Sequence, residues 1–359
     1  MIPISVCIIA KNEEKNIAKC LAPLADLPLE IIIADTGSTD RTKEVAKQYG
    51  AKVYDFQWID DFSAARNFSI SKASNDYILV LDSDEFTVEI DIEEISRLIE
   101  ENPDAVGMLV RDNTYESNGA ITTCPDHVER LFNKNLYHYE WSIHEQLVGD
   151  DGTSCYPRYE IPLSVHHVGY SGTLEERKKK VERNNQLLFR EIEKDPENPY
   201  FYFQVGQSYN MISDYENAYK YYKKAMSFDL NPFELWVKMM VNAYGNAMVN
   251  TGRLDEAIQT YNLLYDVFGD CADFHGILGV AYLNKNEPLK AMMEFVKAVN
   301  SPIAYETGAN TYLAYNNMGI VNEMFGNIPE AIKFYRMCGD FPVAKEALRK
   351  LGALEESEA

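Results

Sequence analysis

Along the first hundred residues, short apolar runs alternate with polar, helix-forming stretches. Residues 4–10 (ISVCIIA) are apolar and β-branched, and a polar stretch follows to about Leu24. Residues 29–34 (LEIIIA) form a second run, closed by Asp35, Thr36, Gly37, Ser38, Thr39 and Asp40 before another helical stretch. Residues 52–56 and 77–81 are the third and fourth strand candidates. Strands separated by helices at this spacing predict parallel βαβ units with right-handed crossovers. From about Val106 to Tyr170 the pattern predicts shorter strands and Gly or Asn turns. Helix is expected from Thr173, an N-cap with Glu175 and Glu176 in the first turn, almost to the C-terminus. The Arg177–Lys180 run reads as a solvated helix face.

The helical half repeats itself. Gly206, Gly245, Gly279 and Gly319 are each followed twelve residues later by Ala218, Ala257, Ala291 and Ala331, and four residues after that by Tyr222, Tyr261, Phe295 and Tyr335. Periods of 39, 34 and 40 residues fit a helix-turn-helix solenoid, in which small residues let helices approach and aromatics fill the gaps. This resembles the tetratricopeptide repeat, with Tyr209 and Tyr282 at its other aromatic position and Gly252 and Gly326 at its turn. Met248 and Asn322 depart from the pattern where an aromatic is usual, and the two longer periods imply insertions that alter curvature. Two roles stay open: a solenoid that stabilises the chain or pairs it as a homodimer, or one whose concave face grips a peptide.

The length of 359 residues suggests two domains, divided as 1–172, a linker helix at 173–196, about four repeats at 197–345 and a tail at 346–359. With 46% hydrophobic and 25% charged residues the chain is globular. Its 34 Lys and Arg against 56 Asp and Glu leave a net charge of −22, the wrong sign for nucleic acid or anionic lipid. Residues 1–173 hold 14 basic and 30 acidic side chains, net −16, so this half is the one that can use a divalent cation. The six Cys are scattered without metal-site or disulfide spacing, which predicts reduced thiols in a cytoplasm. Met1–Ala10 has no basic leader and reads as a strand, and no apolar run approaches the roughly 18 residues of a membrane span.

The chemistry concentrates at strand ends, where open α/β sheets bind ligands. In residues 78–85 (ILVLDSDE) an apolar run meets Asp82, Ser83, Asp84 and Glu85. Side chains of an extended chain alternate, so Asp82 and Asp84 are expected on one side. Two hard carboxylates there can hold Mn²⁺ or Mg²⁺ and bridge to a diphosphate. Lys11, Asn12 and Glu13 follow the first run, and Asp35 ends the second. Asp35 either accepts the imide N–H of a uracil or caps the next helix through the Gly37 turn. Ser38 and Asp40 read as turn and cap residues.

The ordered set IIAKNEE, IIIADTGSTD, DFSAARN, LVLDSDE, ERLF, WSIHE and HHVGY resembles a family 2 glycosyltransferase of the GT-A fold. Within that family it is most similar to the bacterial subgroup that joins the catalytic domain to tetratricopeptide repeats, which includes peptide S-glycosyltransferases of glycocin biosynthesis. The resemblance implies an α/β, Rossmann-like GT-A domain followed by an all-α solenoid, a UDP-sugar donor and Mn²⁺ or Mg²⁺. Carried onto this chain, it implies that Ala10, Lys11, Glu13, Asp35 and Ser83 contact the nucleotide, although family members often have Pro-Thr-Tyr where Ile9, Ala10 and Lys11 stand. Asp84 corresponds to the principal metal ligand, with Asp82 as a further ligand or oriented toward ribose or metal-bound water. Arg66 falls near the donor, or else pairs with Asp61.

Inverting transfer needs a base beside the acceptor, and the WSIHE segment supplies Glu145, with His144 as the alternative. Trp141 either stacks on a sugar or belongs to the core. Of His166 and His167, which face opposite ways on a strand, His167 fits the family's HxGY metal ligand. The resulting expectation is an inverting enzyme moving a hexose from a UDP-sugar to Ser, Thr or Cys of a peptide or protein. A transferase of lipopolysaccharide or another cell-surface glycan, and a catalytically silent nucleotide-sugar-binding adaptor, are the two rivals.

Overall fold

The computed structural model describes residues 2–117, 120–153, 156–167 and 173–354, with the side chains of 114–124 left aside. It divides into two compact units, one of residues 1–117 and 121–172 and one of residues 173–359 together with 118–120.

The first unit runs β1 (Ile4–Ala10), α1 (Ile17–Leu21), β2 (Leu29–Asp35), α2 (Thr42–Gln48), β3 (Lys52–Asp55), α3 (Phe62–Ser71), β4 (Tyr77–Asp82), β5 (Glu85–Ile90), α4 (Ile92–Glu101), β6 (Val106–Ser117), β7 (Ala120–Asn133), β8 (Tyr137–Glu140), β9 (Gln146–Gly149) and β10 (Arg158–His167). Eight strands form one mixed sheet in the order β3-β2-β1-β4-β7-β6-β10-β5, while β8 and β9 make a separate ribbon. Strands β3, β2, β1 and β4 are mutually parallel, as their apolar runs and intervening helices require. The antiparallel β4–β7 pair then turns the sheet from parallel to mixed.

The central strands are apolar along most of their length because both faces are covered. Val6, Ile8, Ile31, Ile33, Leu79 and Leu81 join one core cluster with Ile17 and Leu21 of α1 and Ile95 and Ile99 of α4. The alternate residues Cys7, Ile32, Ile78 and Val80 join another with Ile70 of α3 and Tyr137, Tyr139 and Leu147 of the ribbon. Against the expectation of shorter strands after Val106, β6 and β7 span 12 and 14 residues. Half-exposed polar positions such as Arg111 and Asp112 interrupt the apolar pattern there without interrupting the ladder.

The second unit opens with α5 (Leu174–Lys194), which Thr173 and Glu176 start with a reciprocal capping box. Four antiparallel pairs follow: α6 (Pro199–Met211) with α7 (Tyr215–Ala225), α8 (Leu235–Asn250) with α9 (Leu254–Phe268), α10 (Ala272–Asn284) with α11 (Pro288–Asn300), and α12 (Tyr312–Met324) with α13 (Ile328–Arg336). A last helix, α14 (Pro342–Lys350), crosses the boundary expected at 345. At Gly206, Gly245, Gly279 and Gly319 a Cβ would fall on the ring of Tyr222, Tyr261, Phe295 and Tyr335 respectively, so each repeat's glycine and aromatic are one packing contact. The turn seven residues after each glycine is left-handed in every repeat, held by Ser213 (φ 59°), Gly252 (73°), Asn286 (61°) and Gly326 (71°). Among the described residues no helix is long and apolar enough to cross a membrane. Cys7, Cys20, Cys271 and Cys338 are buried free thiols, whereas Cys155 and the side chain of Cys124 lie outside the described residues.

Candidate active site

The loops that leave β1 and β2 are stitched together. Ala10 O accepts from Thr36 N (2.9 Å) and Thr36 Oγ1 (3.2 Å). Asn12, left-handed at φ 57°, donates its N–H to Ser38 Oγ (2.9 Å) and accepts from Thr39 N (2.8 Å) through Oδ1. Glu13 N donates to Thr42 Oγ1 (2.7 Å) and Glu14 N to Asp40 Oδ2 (3.1 Å). Ser38 and Asp40, read as turn and cap residues, therefore also bind one loop to the other, while Lys11 is exposed.

Asp35 is 1% exposed and splits its carboxylate between two environments. Oδ1 accepts from Gly37 N (3.1 Å) and Ser38 N (2.8 Å), the turn that was one reading of this residue. Oδ2 is buried without a hydrogen-bond partner among the described residues. Such an acceptor is costly unless a donor arrives, and an imide N–H is a donor of the required kind.

The DSD segment departs from the expected alternation. Strand β4 ends at Asp82, Ser83 and Asp84 form a turn, and β5 begins at Glu85, so Asp82 and Asp84 do not share one side of an extended chain. Asp82 Oδ1 accepts from Arg66 Nη2 (2.7 Å) and Oδ2 from Arg130 Nη2 (2.7 Å). Arg130 also reaches the fully buried Glu85 (2.9 Å). Burial raises the cost of charge on Asp82, but Arg130 and Arg66 outweigh it and hold the carboxyl below the usual range. Glu85, more deeply desolvated, is pushed up. Both oxygens of Asp82, one of the expected cation ligands, thus lie on guanidinium groups. Ser83 is buried beside it.

Arg66 does not pair with Asp61. Asp61 is the N-cap of α3, accepting from Ala64 N (2.9 Å) and Ser63 Oγ (2.8 Å). One helical turn on, Arg66 Nε donates instead to Glu145 Oε1 (2.5 Å). Glu145, Arg66, Asp82, Arg130 and Glu85 thus form an alternating chain of charges drawn from a helix, three strands and a loop.

Asp84 meets His167 at the other side of the turn, Oδ2 to Nε2 3.5 Å. His167 Nδ1 lies 2.9 Å from Asn113 Oδ1, so the ring is held from that side while Nε2 faces Asp84. One carboxylate with one imidazole is a suitable start of a Mn²⁺ or Mg²⁺ donor set. Among the described residues no group of three or more His, Cys, Asp and Glu is arranged around a metal position. The remaining part of the HxGY motif, Val168 to Tyr170, lies outside the described residues.

The WSIHE segment is held by α3. Asn67 donates from Nδ2 to Tyr139 O (2.8 Å) and accepts from Tyr139 N (3.0 Å), and Phe62 N donates to Ser142 O (2.9 Å). Trp141 (φ 70°), between these clamps, and His144 (φ 51°), two residues beyond them, adopt left-handed backbone, strain that persists only where surroundings impose it. Burial pushes the Tyr139 phenol up to about 12, and its hydroxyl is buried without a partner among the described residues.

Residues 5–150 match the Glycosyl transferase family 2 model and residues 199–232 a tetratricopeptide repeat. The first unit is a family 2 glycosyltransferase domain. A TPR repeat-containing protein of Synechococcus elongatus is 32% identical over 236 residues, 63% of this chain and 57% of that protein. Glycosyltransferase SunS from the SPbeta prophage of Bacillus subtilis is 29% identical over 226 residues, covering 61% and 52% respectively. The chain spans little more than half the length of these curated relatives. Among solved structures, MamA is similar over 52% of this chain and 99% of its own, at 20% identity and a TM-score of 0.38.

In this glycosyltransferase domain the structure brings Glu145, Arg66 and Asp82 into one network and Asp84 and His167 into another contact, with Asp35, Ala10 and Glu13 at the ends of β1 and β2. Burial pushes the Glu13 carboxyl up, and the charge of Asp84 adds to it against the Asn16 hydrogen bond. Arg130 had no role assigned from sequence. Its signal was an Arg directly before the apolar pair Leu131 and Phe132, since a charge carried into a buried strand requires a partner.

Proposed function

We propose that the chain transfers a hexose, with inversion, from a UDP-sugar to Ser, Thr or Cys of a polypeptide that the repeats hold. The observation that carries the donor assignment is Asp35, whose buried Oδ2 lacks a donor at the carboxyl end of β2. The uracil imide N–H supplies one. Asp84 and His167 would hold the divalent cation, which supplies charge neutralisation to the departing diphosphate. Glu145 takes the acceptor proton at Oε2 while Arg66 fixes Oε1. The acceptor O or S bonds to the anomeric carbon as the bond from that carbon to the diphosphate oxygen breaks on the opposite face. The polypeptide acceptor is supported by the repeats and by similarity to SunS.

Incubation of the full chain with a panel of UDP-sugars, Mn²⁺ and Ser-, Thr- or Cys-containing peptides, read by intact mass, tests this. A peptide heavier by one hexose is the expected result. Transfer to saccharide acceptors alone would overturn the peptide reading, and UDP binding without turnover on any acceptor would leave an adaptor.

A further inference from the structure

The helix pairs repeat their outer surface as well as their core, and one of them breaks the repeat. The first helices α6, α8, α10 and α12 line one cavity, so the second helices α7, α9, α11 and α13 form the opposite, outer layer. In each of these the positions two residues before, two after and five after the repeat alanine are exposed. They hold Glu216, Lys220 and Lys223 in α7, Asp255, Gln259 and Asn262 in α9, and Pro329, Lys333 and Arg336 in α13. In α11 the same three positions hold Leu289, Met293 and Val296, which are 71%, 61% and 41% exposed. The glycine and aromatic contact is the same in all four pairs, so folding does not select apolar residues at these outward positions. A contiguous apolar stripe left in water marks a contact surface.

The stripe and its flanks fit a second copy of themselves. Leu289, Met293, Val296 and the exposed Asn300 are spaced by four, three and four residues, the seam of a two-helix coiled coil, in which a single Asn fixes the register of parallel partners. Two identical surfaces keep these helices parallel when the two-fold axis runs along α11, which sets α9 of each copy opposite α13 of the other. Leu263 of α9 and Met337 beyond α13 both stand six residues after the repeat alanine, 78% and 46% exposed, and meet across that axis. Asp266 and Asp270 on the α9 flank and Arg336 on the α13 flank are exposed and make no ion pair among the described residues. Asp266 lies one helical turn beyond the height of Arg336, within reach of its side chain. A two-fold axis across α11 would instead oppose acid to acid and base to base.

We propose that the outer face of α11 pairs two copies of this chain, α11 packing in parallel and in register on α11 of the second copy, with the acidic α9 flank of each against the basic α13 flank of the other. The inner cavity stays open in such a pair. One helix seam with its flanks lies at the small end of specific interfaces, so the dimer should dissociate with a Kd of about 1–100 µM.

Sedimentation velocity of the full chain from about 1 to about 500 µM brackets that range, and the sedimentation coefficient should rise from monomer to dimer across it. Leu289→Glu/Met293→Lys/Val296→Lys gives α11 the outward triplet of α7 and should weaken pairing at least about tenfold without lowering the melting temperature. Met293→Lys alone, at the centre of the stripe, should weaken it in the same direction. Leu289→Cys should form a covalent dimer under mild oxidation beyond any seen for the unaltered chain, because the parallel arrangement sets residue 289 against its own copy and the antiparallel one does not. A chain that stays monomeric throughout overturns the pairing, and so does a dimer that persists in both lysine variants. A dimer lost in those variants yet not cross-linked in Leu289→Cys overturns the parallel arrangement.

Discussion

The glycosyltransferase unit and the repeat unit solve the problem of buried polarity in opposite ways. In the first, charges are gathered: Glu145, Arg66, Asp82, Arg130 and Glu85 come from positions up to 79 residues apart and meet at the strand ends. In the second, contacts recur at short range, each glycine with the aromatic sixteen residues on, and a buried polar contact, His275 Nδ1 to Glu294 Oε2 at 2.7 Å, ties α10 to α11. Strain follows the same division. Asn12, Asp60, Trp141 and His144 are left-handed at irregular places in the loops of the first unit, whereas Ser213 and Asn286 are left-handed at the one turn position that every repeat shares. The difference teaches that the first unit is organised around its site and the second around its period.

The largest effects should come from breaking the gathered charges where chemistry is assigned. Glu145→Gln keeps shape and removes basicity, so transfer to a hydroxyl acceptor should fall about 10²- to 10⁴-fold with UDP affinity nearly unchanged. A loss below tenfold would move the base to His144 or elsewhere. Asp84→Ala should reduce cation-dependent turnover by about 10²-fold or more with no loss of fold. Full activity of that variant in EDTA would remove the cation from the site.

Next in size is the structural share of the same network. Arg130→Met leaves one oxygen of Asp82 without its guanidinium and Glu85 with only the longer Arg111 contact (3.5 Å), which should cost about 3 kcal/mol in denaturant unfolding. A loss under about 1 kcal/mol would mean that the network is not stabilising. Its pH dependence has a definite sign. Asp82 titrates below its unfolded value, so the pairing contributes fully above about pH 4 and is lost as pH falls through the folded value. Melting of the first unit should therefore decline below pH 4, and Arg130→Met should flatten that decline.

The periodic unit should answer with smaller, position-specific changes. Gly279→Ala drives a methyl into Phe295 and should cost about 1–3 kcal/mol, whereas Gly276→Ala, facing open space, should gain about 0.5–1 kcal/mol by helix propensity. Equal effects at the two positions would mean that the Phe295 ring does not set the cost at Gly279. At the small end too, Ser213→Gly should stabilise the first repeat by up to about 1 kcal/mol, because it removes the side-chain penalty of a left-handed turn that Gly252 and Gly326 avoid.

What the sequence by itself determined is what depends on neighbours along the chain. The apolar runs of β1, β2 and β4 are buried on both faces, and the glycine, alanine and aromatic of each repeat fall on one interface, because strand and helix periods act over a few residues. The turn at Ser83–Asp84 was hidden because the polar letters D-S-D fit an extended end and a turn equally well. The partners of Arg66 and Arg130 were decided only in three dimensions. Pairing β4 with β7 in the register Leu79–Leu131 brings Arg130 to the end of β4, and the clamps of α3 on the 139–142 segment bring Glu145 to Arg66. Charges so far apart in sequence carry no local signature of one another. Their pairing is fixed by sheet order and register, where desolvation leaves a buried guanidinium no alternative to the carboxylates that the fold sets beside it.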